Sequence, residues 1–170
     1  MQEIPTTLII KEMEVYFREA VLSDYDQILR LKKQVHDFHY SNRSDFYKAS
    51  NCPFDKKDFE NLLKNQDNKV FIVENQNHIC GYAFVKVIKF DNNQLIKDHS
   101  RLYIDDLCID ENLRGKGIGQ FLMRNLELQC KSLGIQYMDL SVWNFNSNAF
   151  NFYKKCGMKE SLIRMEKKID

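Results

Sequence analysis

A loop rich in glycine and basic charge, at residues 114–119, constrains the fold of this chain more than any other segment. Its sequence is Arg114-Gly115-Lys116-Gly117-Ile118-Gly119, and it lies between a strand-like run and an amphipathic helix pattern. Glycines let the backbone approach a ligand without Cβ clashes, and the unpaired N–H groups of a first helical turn attract anions. The segment therefore predicts a phosphate site at a strand-to-helix junction.

Strand patterns separated by turns precede this loop. Residues 70–74 and 79–90 flank the turn Asn75-Gln76-Asn77, and a polar stretch after residue 90 leads to a third strand at 101–109. Because no helix intervenes between these strands, they favour an antiparallel sheet and disfavour a Rossmann fold.

The rest of the chain supplies helix and strand patterns around this sheet. In order, they are a strand at 13–19, a helix from a Ser23–Asp26 capping box to about His39, helices at 56–64 and 118–133, a strand at 136–143, a helix at 148–156 and a strand at 161–169. The strand–helix–strand passage across the loop should be a parallel crossover. The predicted fold is α+β, with a mixed, mostly antiparallel sheet of six to seven strands and about four helices. We expect one domain over residues 1–170, with 1–12 as an N-terminal extension.

Composition and charge disfavour several classes of partner. The 170 residues are 44% hydrophobic and carry 25 basic and 24 acidic side chains, which suits a globular domain without a nucleic acid or an anionic membrane as its main partner. No apolar run approaches the roughly 20 residues that span a bilayer, and the first residues do not resemble a signal peptide. We expect a cytoplasmic protein.

The cysteines and histidines do not form a metal motif. They are Cys52, Cys80, Cys108, Cys130, Cys156, His36, His39, His78 and His99, with no C-x-x-C pair and no zinc spacing. This pattern is typical of reduced, mostly buried thiols, and no metal is expected. Cys108 is interpreted as a small buried residue rather than a nucleophile.

A second motif identifies the kind of phosphate ligand. The loop lacks both the dinucleotide spacing G-x-G-x-x-G and the G-x-x-x-x-G-K-[ST] pattern. It matches [RQ]-x-x-G-x-[GA], and Asn146, Ala149, Tyr153 and Gly157 match N-x-x-A-x-x-x-Y-x-x-x-G. With both motifs, the chain resembles the GNAT N-acetyltransferase superfamily over about residues 13–168. The element order β-α-α-β-β-β-α-β-α-β is also similar to that of the family.

The resemblance implies an acetyl-CoA site and a direct acyl transfer. The amides of residues 114–119 would hold the pyrophosphate, while Leu107, Cys108 and Ile109 would pair with the pantetheine arm as if it were an added strand. Asn146 matches the position that bonds the pantetheine from the other side. Tyr153 matches the tyrosine that assists the departing thiolate, without a covalent acyl-enzyme.

The acceptor amine must lose a proton, and an acidic pair is the candidate acceptor for it. Asp105 and Asp106 precede the loop and resemble the acidic pair that many family members carry there. Because strand residues alternate in direction, one carboxylate should face the cleft and the other should point away, unless a bulge intervenes. Which of the two faces the cleft stays open.

The resemblance favours a small primary amine as acceptor, either a polyamine or an amino-acid-like compound, through the acidic pair. The alternatives are a protein or peptide amine, and a module that binds acyl-CoA without turnover. Residues 30–60 and 90–100 are expected to shape the acceptor site.

Each site residue also has a structural alternative. The loop could be a tight strand-to-helix connection, Tyr153 a core residue, and the two aspartates solvated charges at the end of a strand. The oligomeric state stays open, with a homodimer possible, as does an acyl group other than acetyl.

Overall fold

The computed structural model describes residues 7–10, 13–52 and 54–169, which form a six-stranded sheet with helices on both faces. The strands are β1 (Thr7–Ile10), β2 (Met13–Glu19), β3 (Asn68–Asn75), β4 (His78–Phe90), β5 (His99–Ile109) and β6 (Tyr137–Leu140). The helices are α1 (Tyr25–Asn42), α2 (Lys56–Lys64), α3 (Ile118–Ser132) and α4 (Ser147–Lys155).

The described strands lie side by side in chain order, from β1 to β6. The first five pair antiparallel, and β5 and β6 run parallel on either side of the α3 crossover. A turn in which Gln76 and Asn77 both have positive φ joins β3 to β4. The α+β class with a mixed, mostly antiparallel sheet, predicted from the sequence, is confirmed.

The sheet is covered on both faces, so that side chains alternate along each strand between two cores. On one face, α3 packs against the sheet through Ile118, Phe121, Leu122, Met123 and Leu126, joined by Phe71 and Val73 of β3. On the other face, α1 and α2 contribute Ile28, Leu31 and Phe59, which meet Val70 and Ile72 of β3 and Tyr82 and Phe84 of β4. Both cores position β5, from which the candidate site begins.

The parallel pair β5 and β6 separates towards one end of the sheet. Pairing runs from Arg101 opposite Tyr137 to Ile104 opposite Leu140, and beyond Ile104 the outer edge of β5 has no strand partner within the described chain. The end of β5 therefore borders an opening in the sheet. The glycine loop follows β5 after Asp110 and one 3-10 turn, Glu111–Leu113, and lies at the same end.

The strand predicted at 161–169 does not form. These residues are irregular in structure, and their side chains are exposed. A strand needs a neighbouring edge for its backbone hydrogen bonds, and in the described chain this segment lies against no other strand. Residues 161–169 have the sequence pattern of a strand, but they lie beside no strand edge among the described residues.

Two further differences concern the N-terminal part of the chain. The segment predicted as an extension contains β1, which pairs antiparallel with β2. The capping box predicted at Ser23 and Asp26 is wrong, because the carboxylate of Asp24 accepts the backbone N–H of Val21 at 2.8 Å instead. Arg18 donates to the same carboxylate at 2.8 and 3.0 Å, and this charged partner stabilises Asp24 in the capping position.

Candidate active site

A β-bulge interrupts β5 where the strand borders the opening. Phe84 of β4 lies opposite Asp106 and Val85 lies opposite Ile104, so that Asp105 is an extra residue without a partner on β4. The bulge reverses the alternation of β5: residue 104 packs in the core beside α3, whereas residue 108 packs in the core beside α1 and α2. Residue 106 consequently lies on the α1 side as well.

Asp106 is held by two donors on that side. Its Oδ2 atom accepts from Lys32 Nζ of α1 at 2.7 Å and from the Tyr82 hydroxyl of β4 at 2.9 Å. Burial, followed by the negative charge of Asp106, raises the pKa of Tyr82 well above its usual value, which keeps this hydroxyl protonated as a donor. No described residue donates a hydrogen bond to Oδ1 of Asp106, so this oxygen is available to a ligand.

Asp105 has a different environment. It makes no ion pair or side-chain hydrogen bond within the described part of the chain, and its side chain is exposed. It lines a cavity of about 240 Å³ together with Leu62, Asn68, Phe84, Val85, Lys86 and Tyr103. Because Leu62 belongs to α2, both carboxylates lie towards the α1 and α2 side of the sheet. The alternation predicted for an unbroken strand does not apply here, because the bulge that was left open in the sequence analysis is present at Asp105.

The glycine loop turns twice through the left-handed region of backbone conformation. Gly115 has φ 73° and Gly117 has φ 92°, values that carry a steric penalty for residues with a Cβ atom. Gly117 is the N-cap of α3, so the N–H groups of Ile118, Gly119 and Gln120 have no acceptor within the helix. The first turn of α3 also carries no acidic residue. These features leave a positive helix end open to an anion.

The third glycine of the loop has a packing role. A Cβ atom on Gly119 would lie 3.0 Å from two ring carbons of Phe152 and 3.5 Å from the Ile109 side chain. Gly119 therefore allows α4 to pack closely against the start of α3. The sequence interpretation assigned all three glycines to ligand approach, and for Gly119 close packing is an additional reason.

The two basic residues of the loop are exposed. Arg114 donates through Nε to the carbonyl of Ile109 at 3.2 Å, which folds its side chain back towards the end of β5. Lys116 has no ion pair within the described residues and its side chain is exposed. Both charges lie next to the unpaired N–H groups at the start of α3, and they add to the attraction of this helix end for phosphate.

Helix α1 fixes the start of the loop. Arg30 pairs with the buried carboxylate of Asp110 at 2.6 Å and also donates to the Ile79 carbonyl at 3.2 Å. Gln34 donates to the Ile109 carbonyl at 3.2 Å and accepts the N–H of Glu111 at 3.1 Å. The direction in which the loop leaves β5 is thus set by two side chains of α1.

Replacing Arg30 by alanine is expected to destabilise the protein by about 1–3 kcal/mol at pH 7, because the buried carboxylate of Asp110 then loses its charged partner. Burial alone would raise the pKa of Asp110, but hydrogen bonds from Arg30 and Asn112 outweigh burial and hold it below its usual value. The stability from this pair is present above pH ~3.9 and is lost as the pH falls through the lowered pKa. Denaturant titrations of both proteins should therefore converge below that pH.

Lys33→Ala is the matched control, since Lys33 forms an exposed pair with Asp37 on the same helix. Its effect should be much smaller and nearly independent of pH. A loss of stability for Arg30→Ala that is equal at pH 3 and pH 7 would contradict this role.

The predicted pantetheine strand, Leu107 to Ile109, lies along the opening. These residues pair with Ala83, Tyr82 and Gly81 of β4 on their inner side, and no strand pairs with them on the outer side within the described chain. The Ile109 carbonyl is already occupied by Gln34 and Arg114. Burial, together with the charge of Asp106, raises the pKa of the Cys108 thiol to about 12, an environment that does not favour a thiolate nucleophile.

Tyr153 and Asn146 lie on α4, on the other side of the opening. Burial first, and then the negative charge of Asp106, raise the pKa of Tyr153 well above its usual value. Its hydroxyl makes no hydrogen bond to any described residue, so that a protonated donor is available. Asn146 is the N-cap of α4, and its Oδ1 accepts the N–H of Ala149 at 3.1 Å. Only its Nδ2 group is left for the pantetheine contact predicted from the sequence.

An aromatic cluster flanks the opening between the end of α1 and the segment after β6. The Trp143 ring stacks on Phe145 at 5.8 Å between centroids, and its Nε1 donates to the Tyr47 hydroxyl at 3.0 Å. The His39 ring stacks on Tyr47 at 5.3 Å, and burial lowers the pKa of His39 below its usual value although the charge of Asp106 acts in the opposite direction. These rings pack against one another and form the aromatic side of the opening.

The structure adds residues that the sequence did not single out and removes one segment that it did. Lys32 and Tyr82 hold Asp106, and Arg30 and Gln34 hold the loop. Nothing in the sequence around these four residues indicates a role in the site. Only the pairing of β4 with β5 would have placed Tyr82 near Asp106.

Residues 90–100, which were expected to shape the acceptor site, connect the end of β4 to the start of β5. They therefore lie at the opposite end of β5 from the opening. They do not face the site.

Two further kinds of feature, a membrane-spanning helix and a metal-binding cluster, are absent from the described residues. None of their helices is both long and apolar enough to cross a lipid bilayer. Among the same residues, no group of three or more His, Cys, Asp or Glu side chains is placed to hold a metal ion. The site is thus described by the opening, the loop, two carboxylates and one tyrosine.

Comparisons with known proteins point to one family. The sequence profile of the acetyltransferase (GNAT) family matches residues 35–158. The chain is 28% identical over 95 residues to an L-ornithine N5-acetyltransferase of Arabidopsis thaliana, a match that covers 56% of this chain and 41% of that enzyme. It is 27% identical over 113 residues to a protein of Bacillus subtilis named as a ribosomal protein bS18-alanine N-acetyltransferase, covering 66% of this chain and 68% of the relative.

The fold agrees with that assignment. A mutant of the BH1408 protein from Bacillus halodurans superposes on 90% of this chain and 98% of its own, with a TM-score of 0.87 and 27% identity. The chain spans less than half the length of the plant relative.

Proposed function

The chain belongs to the acetyltransferase (GNAT) family, and from that premise we propose that it transfers the acetyl group of acetyl-CoA directly to a primary amine of a small molecule. One arrangement supports this function above all others. The opening beside the outer edge of β5 leads to the glycine loop, and it is bordered by a carboxylate, Asp106, that Lys32 and Tyr82 hold in place and by the Tyr153 hydroxyl of α4. The two groups are of the kinds that an amine acceptor and a thiolate leaving group require.

The chain's own residues fit the phosphate and pantetheine parts of acetyl-CoA. The N–H groups of Gly115 to Gly119 and the positive end of α3 would bind the pyrophosphate. The unpaired outer edge of Leu107 to Ile109 would bind the pantetheine arm through backbone hydrogen bonds. The amides there also supply donors for the negative charge that develops on the acetyl oxygen, which is commonly the largest catalytic contribution.

The acceptor must arrive with a neutral nitrogen. An amine with a lysine-like pKa of about 10.4 pays roughly 4.6 kcal/mol to be neutral at pH 7. Asp106 offsets part of this: Lys32 and Tyr82 hold its Oδ2, and its Oδ1 is open to attract the ammonium and receive its proton directly or through water. Asp105 adds a second negative charge nearby, so the single Lys32 does not neutralise the pair.

The transfer would form the bond between the amine nitrogen and the acetyl carbon and break the carbon–sulfur bond, whose electron pair would move to sulfur. The nitrogen would then lose its surplus proton to water and become the amide nitrogen. Tyr153 donates a hydrogen bond to the leaving thiolate. Because its raised pKa lies above the ~8.5 of a thiol, Tyr153 assists as a donor, and the proton that completes the thiol is finally supplied from water.

Two observations support a small amine as the acceptor. The carboxylates suit a cationic group, and the stacked rings of Trp143 and Phe145 offer an apolar surface to the carbon chain of an amine. The plant relative's name, L-ornithine N5-acetyltransferase, points the same way. The name of the Bacillus subtilis relative describes a protein amine, which is the competing acceptor.

A thiol-release assay with acetyl-CoA tests the proposal over three sets of acceptors. They are polyamines, amino acids with a side-chain amine, and peptides with a free N-terminal amine. We expect release of free thiol that depends on a member of the first two sets, with mass spectrometry showing the acetylated amine. The control is Gly117→Val, which forces a β-branched residue to φ 92° at the loop and should lose coenzyme binding. Turnover with peptides alone would show that the acceptor is a protein or peptide amine rather than a small molecule. Binding of acetyl-CoA without turnover on any amine would count against an enzyme.

A further inference from the structure

The proton that leaves the acceptor ammonium needs a side chain that can hold it at neutral pH. A carboxylate attracts an ammonium, but carboxylates have ordinary pKa values near 4, whereas an aliphatic amine has one of about 10.4. The most effective base has a pKa close to the working pH, and histidine is the side chain whose ordinary value comes nearest. One histidine of this chain, His39, lies beside the opening.

His39 lies on the same face of α1 as Lys32, two helical turns further along. Two turns correspond to roughly 10 Å along the helix axis, and Lys32 donates to Asp106 Oδ2 at 2.7 Å. The His39 ring stacks on Tyr47 at 5.3 Å between centroids and meets the Phe145 ring edge-on at 6.1 Å. His39 and Asp106 therefore border the same side of the opening, and no hydrogen bond joins them directly.

The ring nitrogens of His39 are unused within the described chain. The side-chain hydrogen bonds of the described histidines belong to His36 and His99, and His39 has none. The side chain of His39 is half-buried between aromatic rings, yet its nitrogens are not sealed from the surface. Because buried polar groups are normally paired, these nitrogens are available to a water or a ligand that enters the opening.

The surroundings of His39 favour a neutral imidazole at pH 7. Burial lowers the pKa of His39 below its usual value, the charge of Asp106 acts in the opposite direction, and a protonated His36 acts with burial. The charged groups on the surrounding elements are paired, Lys32 with Asp106, and Arg43 with Asp45 and Glu166. The remaining titratable neighbour is Tyr47, whose hydroxyl accepts a hydrogen bond from Trp143. A neutral imidazole can accept a proton.

We propose that His39 is a further catalytic residue on the acceptor side, a base that holds the proton which the ammonium gives up at Asp106. The inference rests on the proposed acetyl transfer and adds the destination of the proton. An N–H bond of the ammonium breaks and its electron pair stays on nitrogen, while the proton moves through a bridging water to a neutral ring nitrogen of His39. The imidazolium releases the proton to solvent before the next turnover. Asp106 stays charged in this step and stabilises the imidazolium.

The pH dependence of kcat/KM for the acceptor tests this role in the parent chain, His39→Gln and His36→Gln. The acceptor used is the amine that gives the fastest thiol release with the parent chain in the panel of polyamines, amino acids and peptides. Without a base in the site, only the neutral fraction of the amine reacts, and below a pKa of about 10.4 this fraction falls tenfold for each unit of pH. We expect His39→Gln to be about 100-fold slower than the parent at pH 7, and nearly equal to it near pH 10.

His36→Gln is the matched control. It removes a histidine from the same helix, one whose Nε2 atom already lies 2.9 Å from the Lys48 carbonyl oxygen, and its profile should follow that of the parent. A role in packing alone would lower the rate equally at every pH. A His39→Gln profile that runs parallel to the parent profile, or an equal loss in His36→Gln, would therefore overturn the proposal.

An NMR titration of the histidine rings in the parent chain gives a second measurement that does not depend on a variant or on turnover. We expect the His39 imidazole to be neutral at pH 7, and a ring that is protonated at this pH would also overturn the proposal. Failure of the proposed function has a different signature, because the parent chain would then release no thiol on any amine. That result would remove the acetyl transfer and the proton step together, whereas turnover with parallel profiles would remove His39 alone.

Discussion

Replacing Asp106 by asparagine is expected to lower kcat/KM for the acceptor amine roughly 100- to 1,000-fold, the range of a positioned general base. Asparagine keeps the shape and can still accept from Lys32 and Tyr82 through its carbonyl oxygen, but it lacks the charge that attracts the ammonium and receives its proton. The KM for acetyl-CoA should change little. Steady-state kinetics with each substrate varied in turn measure both effects.

Substitutions of two other carboxylates serve as comparisons for Asp106→Asn. Asp37→Asn removes an exposed charge of α1 that pairs with Lys33, and it should leave kcat/KM within about twofold. Asp105→Asn removes the unpaired carboxylate at the bulge, and we expect a loss smaller than that of Asp106→Asn because no donor fixes its orientation. If Asp105→Asn is the more damaging change, the roles of the two carboxylates must be exchanged.

Replacing Tyr153 by phenylalanine is expected to reduce kcat about 10- to 150-fold, which corresponds to the 1.5–3 kcal/mol of a hydrogen bond to a charged group. The hydroxyl has no hydrogen-bond partner among the described residues, so its removal should leave the thermal midpoint nearly unchanged. The dissociation constant of acetyl-CoA should also be unchanged, since the hydroxyl acts on the leaving sulfur rather than on the bound ground state.

The control for Tyr153 is Tyr137→Phe at the start of β6. Tyr137 is 53% exposed and lies at the opposite end of the parallel pair from the opening. Its loss should alter kcat by less than a factor of two. A kcat of Tyr153→Phe equal to that of the parent chain would remove this tyrosine from the mechanism and return it to a core role beside Phe152.

Much of the fold followed from local patterns. The strand at 13–19 and the helix at 56–64 have the predicted bounds, because alternation and helical spacing are properties of the chain itself. The absence of helices between β3, β4 and β5 correctly predicted an antiparallel sheet. By contrast, the sequence did not predict that β1 pairs with β2 or that residues 161–169 form no strand. Both outcomes depend on whether the edge of another strand lies beside the segment, which is decided by the tertiary structure.

The candidate site was predicted less completely, and the bulge shows why. The positive φ of Gly115 and Gly117 agrees with the loop chemistry that their sequence indicated. The direction of Asp105 and Asp106 depends on one unpaired residue in the register of β4 with β5, which no residue type in the sequence signals. The hydrogen bonds from Lys32 to Asp106 and from Arg30 to Asp110 join residues that are 74 and 80 positions apart in the sequence, so no local pattern predicts them.

The most direct test of the account is a crystal structure of the chain with a non-reactive analogue of acetyl-CoA. We expect the pyrophosphate within about 2.7–3.2 Å of the amides of residues 115–119, and the pantetheine along Leu107 to Ile109 in the opening. The atom that replaces the thioester sulfur should lie within about 3–3.5 Å of the Tyr153 hydroxyl oxygen. A pyrophosphate bound away from the loop, or a thioester position out of reach of both Tyr153 and Asp106, would contradict it.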